Sequence, residues 1–128
     1  MADFDKAFEK TVFNEGGYVN DKDDKGGETY MGISRKHHPN SLIWYIIDKV
    51  TAKYEKVSDI NRELKKDNEL TSLIKSIYKS DYWNPFDLNK EKSQRLANQI
   101  FDSAVNTGVQ KTKLLIRRIK NEMDIVKK

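Results

Sequence analysis

Five of the six glycines in this 128-residue chain fall between residues 16 and 32, and in most of the remaining sequence apolar residues return at helical spacing. Glycine loses the most backbone freedom on ordering and favours turns, so such a window cannot continue a helix. The chain therefore reads as a set of helices interrupted by one irregular segment. Phe4, Ala7, Phe8 and Val12 predict an amphipathic helix over 3–14 that stops at Glu15-Gly16-Gly17. Residues 16–32 read as a structured loop with a short hairpin around Gly26-Gly27. Ile33 to His38 would add one helical turn, ended before Pro39.

Leu42, Ile43, Ile46, Ile47 and Val50 predict a largely buried helix over 41–55. Ser58 reads as the N-cap of a short helix carrying Ile60 and Leu64, and Asp67 as the cap of another over 68–82. That helix would bury Leu70, Leu73, Ile74, Ile77 and Tyr78 and break at Asn84-Pro85. Leu96, Ala97, Ile100, Phe101, Ala104 and Val105 mark a helix ended by Gly108. A last helix over 110–127 lines up Leu115, Ile119, Met123 and Val126, and its many Lys and Arg residues read as a solvated face. No alternating run reaches strand length. The fold class is mainly α, in one domain over 1–128. Leu, Ile, Val and Phe supply 31 of the 128 residues, enough for a core despite 34% charged residues.

The absence of cysteine excludes disulfides, thiolate zinc sites and a cysteine nucleophile together. No apolar run is long enough to cross a membrane. The N-terminus lacks the basic start and apolar stretch of a signal peptide, so synthesis as a soluble cytosolic chain is expected. Residues 1–30 carry eight acids against four lysines, while the whole chain is +4, so the rest is strongly basic. An acidic segment within a basic protein suits a carboxylate-based site on a body drawn to anionic polymers. Nucleic acid, teichoic acid and peptidoglycan all qualify.

The chemistry concentrates between Glu15 and Tyr30. A carboxylate at the last turn of a helix meets the negative end of the helix dipole, and neighbouring acids repel it. Both effects raise its pKa, as would burial beside Tyr18, and a proton retained near neutral pH is what a general acid needs. A solvated helix end is the alternative for Glu15. Read as a calcium loop, Asp21, Asp23 and Gly26 fill the first, third and sixth positions. Lys25 then takes a liganding position and Gly32 replaces the terminal carboxylate, so no metal site is expected. His37-His38 have no metal-ligand spacing. Tyr82-Trp83 could stack on a sugar or a base, or belong to the core.

Glu15-Gly16-Gly17-Tyr18, then Asp24-Lys25-Gly26-Gly27-Glu28-Thr29, then Gly32-Ile33-Ser34 resembles the opening of glycoside hydrolase family 108. Those are N-acetylmuramidases found as phage endolysins and as bacterial lysozymes linked to protein secretion. Tyr82-Trp83, Asp87-Leu88 and the run from Leu96-Ala97 to Gly108 are similar to the family's later motifs, in order. The resemblance implies a lysozyme-like helical domain with a Gly/Asp-rich active-site loop or hairpin. It implies cleavage of the β-1,4 bond between N-acetylmuramic acid and N-acetylglucosamine, with Glu15 as the acid and no cofactor. Small phage lysozymes show a similar arrangement to Glu15, Asp24 and Thr29, which would give Asp24 and Thr29 a part in positioning water or balancing charge. Tyr18, Tyr30, Tyr82, Trp83, Asp102 and Asn106 would contact substrate. Peptidoglycan and anionic wall polymers are the implied partners of a monomer that binds no nucleic acid and inserts in no membrane. It would reach the wall by holin- or secretion-assisted release. Family members usually continue into a further peptidoglycan-binding segment, whereas here a basic helix follows Gly108, and Tyr30-Met31 stand where a different pair is common. An inactive peptidoglycan-binding module and a nucleic-acid-binding protein are the alternative readings.

Overall fold

A computed structural model describes residues 1–12, 16–21, 23 and 27–127 of the chain. The protein is mainly helical, with one small sheet. It gathers into two compact units, one formed by Val12–Tyr78 and the other by Met1–Thr11 together with Lys79–Lys128.

In the Val12–Tyr78 unit, the glycine-rich window forms an antiparallel sheet of β1 (Tyr18–Asn20), β2 (Glu28–Tyr30) and β3 (Ile33–Ser34). Tyr18 pairs with Tyr30, Asn20 with Glu28, and Tyr30 with Ile33. Because strand side chains alternate, this register sends Tyr18, Tyr30 and Ile33 to one buried face and leaves Val19 and Thr29 on the other. The strand at Ile33 replaces the helical turn expected there. Met31 and Gly32 form the two-residue loop with φ of 48° and 80°, and positive φ at both positions is what lets so short a turn follow the strand twist. Tyr78 Oη donates to the Met31 carbonyl at 2.5 Å and holds the turn down.

Helices α2 (Ile43–Thr51), α3 (Val57–Lys66) and α4 (Asn68–Tyr78) complete this unit. Ile43, Trp44, Ile47, Ile60, Leu64, Leu70 and Ile74 form its core. α2 stops at Thr51, short of the expected end, where the Thr51 hydroxyl turns back to the Asp48 carbonyl and the Lys53 and Tyr54 amides both donate to the Val50 carbonyl. Leu42, expected inside, is 65% exposed because it precedes the helix. The ladder of α3 starts from the Lys56 carbonyl, so Ser58 lies within the first turn and is not its cap. Asp67 does cap α4, accepting from Leu70 N at 2.9 Å.

In the other unit, α1 (Phe4–Val12) sets Phe4, Ala7, Phe8 and Thr11 on one buried stripe. The segment expected as the end of α4 widens into a π-helical turn over Lys79–Trp83, followed by 3₁₀ turns and then α5 (Gln94–Thr107). Ser93 caps α5 by accepting from Leu96 N. Phe4 packs edge-on against Trp83 and Phe101 at centroid distances of 5.4 and 5.6 Å, and Trp83 meets Phe101 at 5.9 Å. Each such pair adds about 0.5–1.5 kcal/mol beyond burial. Gly108, at φ +98°, turns the chain into α6 (Val109–Lys127), and the buried Thr112 hydroxyl donates to the Gly108 carbonyl at 2.9 Å.

Urea unfolding should separate core from surface here. Trp83→Ala should cost about 3–5 kcal/mol, the usual loss for a buried aromatic, and Leu42→Ala should stay within about 0.5 kcal/mol. Comparable effects at the two positions would contradict this assignment of the core.

Candidate active site

Glu15 and Asp24 lie outside the described residues, as do 13, 14, 22, 25 and 26; the description runs up to Val12 and resumes at Gly16. Upstream, the Thr11 hydroxyl in the last turn of α1 donates to Asp102 Oδ1 at 3.2 Å. Asn106, one turn on, donates to the Asp102 carbonyl at 2.8 Å. The two residues expected to touch substrate on α5 therefore share an exposed face, and Asp102 also anchors the helix that leads towards Glu15.

Downstream, the two glycines serve different needs. Gly16 adopts φ +82°, where a side chain is strained. Gly17 faces Asn61 of α3 so closely that an added Cβ would sit 2.3 Å from Oδ1. That oxygen accepts from Tyr18 N at 2.7 Å and fixes the start of β1. Asn61 carries no signal in the sequence; only the fold brings it to the glycine pair.

Beyond them stands a chain of charge centred on Glu28, whose side chain is 15% exposed. One carboxylate oxygen accepts from Tyr18 Oη and the other from Arg35 Nη1 at 2.8 Å. The Arg35 guanidinium also forks onto Asp48 of α2 with two bonds of 2.8 Å, and its carbon lies 5.3 Å from the centre of the Trp44 ring. Bidentate pairing of this kind fixes direction as well as charge. The hairpin is so held at β1, β2 and α2 at once. Both Glu28 oxygens are engaged, which suits Glu28 to holding the hairpin and not to giving a proton to substrate.

The electrostatics follow from these contacts. Burial and the bond to Glu28 push the Tyr18 hydroxyl up to about 12, and burial with the nearby Asp67 charge raises Tyr30. The bonds to Arg35 hold the Asp48 carboxyl below its usual range, and the same bonds with Glu28 raise Arg35. Of the residues expected in the site, Tyr18, Thr29 and Tyr30 come together on the sheet. The two tyrosine rings lie on its buried face, and Thr29 is half-exposed on the opposite one. Trp83 is fully buried and donates from Nε1 to Asn89 Oδ1 at 2.7 Å, so its ring belongs to the core and not to a sugar-stacking surface. Tyr82 beside it is half-exposed. Asp21 Oδ1 accepts from Asp23 N, a local turn that accounts for their spacing. Among the described residues no group of three His, Asp or Glu side chains is placed to hold a metal ion. A groove of about 300 Å³ between Lys49, Tyr54 and Lys66 contains none of the expected site residues.

The family model for glycosyl hydrolase 108 matches residues 8–108, which takes in every expected site residue from Glu15 to Asn106. No curated protein and no solved structure matches the chain.

Two pH dependences test the network. Asp48 is depressed, so its contribution is present above the usual carboxylate range and lost as pH falls through the lowered value. Arg35→Met should lower stability at neutral pH by about 1–3 kcal/mol, the cost of leaving a half-buried carboxylate short of a partner. The gap to the unaltered protein should narrow at pH 3; an equal gap at both pH values would refute the linkage. Tyr18 and Tyr30 are raised, so their contribution is complete below pH 10 and lost above it, for Tyr18 as pH climbs towards 12. Tyr18→Phe should remove one late-ionising phenol from the absorbance titration near 295 nm and blunt the alkaline loss of stability.

Proposed function

Since the chain belongs to glycosyl hydrolase family 108, we propose that it is a peptidoglycan hydrolase cutting the β-1,4 bond between N-acetylmuramic acid and N-acetylglucosamine, with Glu15 as general acid. At the level of the family it is a glycoside hydrolase. The observation that carries the finer reading is that the family match spans the segment holding Glu15, Asp24 and Thr29. The geometry supports it. Within the Val12–Tyr78 unit, Tyr18, three residues after Glu15, is held by Asn61, and β2, which carries Thr29, is tied through Glu28 to Arg35. Fixed supports are what a reaction needs when a proton donor must sit within about 3 Å of a leaving oxygen.

Glycoside cleavage proceeds through an oxocarbenium-like transition state flanked by two carboxyl groups. Glu15 protonates the oxygen of the departing sugar. Asp24 faces the developing positive charge or, with the Thr29 hydroxyl, orients the attacking water. The separation of the two carboxyl groups decides between retention and inversion. The reaction needs no metal or cofactor in this scheme. The basic surplus of the chain draws it to anionic walls.

Zymography on bacterial walls is the decisive experiment. Glu15→Gln should lower lysis by roughly 100-fold or more with the thermal midpoint within a few degrees; retention of more than about a tenth of the activity would rule out the acid role. Asp24→Asn should cut turnover strongly and Asp23→Asn mildly, with chelator changing neither activity nor melting. Equal severe losses at both aspartates with a chelator-sensitive melt would point to a metal loop instead. Lysis should also fall between low and moderate salt, as attraction to the wall is screened.

A further inference from the structure

All of the chain's net positive charge resides in one helix. Residues 109–128 hold seven Lys and Arg against two acids, whereas the other 108 residues hold 17 against 18. This helix is also largely exposed over its described residues. Thr112 is its one buried residue among those whose burial is described, and from 113 to 122 only Ile116 is so much as half-buried. Leu114, Leu115 and Ile119 are 52, 50 and 48% exposed. Lys111, Leu114, Leu115 and Arg118 line a groove of about 250 Å³, so apolar and basic side chains interleave on one surface. A helix with an apolar stripe owes most of its stability to what covers that stripe.

From this juxtaposition we propose that α6 docks on the surface of an anionic lipid bilayer, lying in the interface plane. Leu114, Leu115 and Ile119 enter the acyl boundary while Lys111, Arg117, Arg118 and Lys120 meet phosphate headgroups. An interfacial helix of this kind combines a basic polar face with buried leucine-type side chains. Charge complementarity selects this occupant. A second copy would set one strongly cationic helix against another, and a purely anionic polymer would take the cations and leave the leucines in water. The helix lies on the bilayer and does not cross it, since no helix among the described residues is long and apolar enough to span. This goes beyond the hydrolase reading and does not depend on it.

Vesicle co-sedimentation of the full chain tests the proposal, using vesicles with about one phosphatidylglycerol in three lipids beside pure phosphatidylcholine. Binding is expected on the anionic vesicles and not on the neutral ones. Arg117→Gln/Arg118→Gln/Lys120→Gln should lower partitioning on the order of 100-fold, and Leu115→Gln/Ile119→Gln about tenfold or more, the latter with hydrolysis of soluble peptidoglycan fragments unchanged. Glu15→Gln should bind vesicles like the unaltered protein, so failure of this proposal and failure of the hydrolase reading can be told apart. Both native tryptophans are buried, so Ile119→Trp adds a surface reporter that brominated anionic lipid should quench. Equal binding to neutral vesicles, no quenching, or full binding by Leu115→Gln/Ile119→Gln would overturn the proposal, the last in favour of an anionic polymer such as nucleic acid. A dimer in sedimentation velocity that the same double variant dissolves would assign the face to a second copy.

Discussion

Arg35 neutralises two carboxylates at once, and the sheet depends on it. Glu28 sits in β2 with little access to water, where an unpaired charge would cost several kcal/mol. Arg35 and the Tyr18 hydroxyl meet that need from two sides, and the second half of the guanidinium fork extends the tie to Asp48 on α2. A sheet whose strands run two or three residues has too few ladder bonds to stand alone. Side-chain bonds do here what strand length does in larger sheets: Arg35 below, Asn61 at the start of β1, and Tyr78 over the Met31 turn.

Much of the segment that resembles the family's opening turns out to serve this scaffolding. Gly16 supplies a backbone angle, Gly17 makes room for Asn61, and Gly32 closes a two-residue turn. In the later motifs, Trp83, Ala97, Phe101 and Ala104 are core and Asp102 anchors α1. Few motif residues are left without a structural part of this kind.

The helices were legible because their buried stripes repeat at 3.6 residues: Phe4, Ala7, Phe8 and Val12 in α1, or Leu70, Ile74 and Tyr78 in α4, need no tertiary information to be seen. Helix ends were less so, since they turn on single competing bonds such as Thr51 to Asp48. β3 was hidden because two residues cannot display an alternation. Glu28 could have been suspected from its place in a tyrosine-flanked run, but Arg35, Asp48 and Asn61 are charged or polar residues whose meaning comes only from which chain segments lie beside them. Of the expected site residues, Trp83 was open to two readings from sequence, and complete burial selects the core.

One unit is discontinuous, and this has a consequence for the order of events as the chain is made. Phe4 and Phe8 leave the ribosome long before Trp83 and Phe101, the rings that cover Phe4, exist. At about 5–20 residues per second, the first helix waits roughly 5–20 seconds with its aromatic stripe unpaired. The Val12–Tyr78 unit is continuous and can close during that interval. Synthesis thus completes the whole of the middle unit before any of the rings that cover Phe4 exist, so the ring cluster around Phe4 cannot be finished until the chain has passed Phe101.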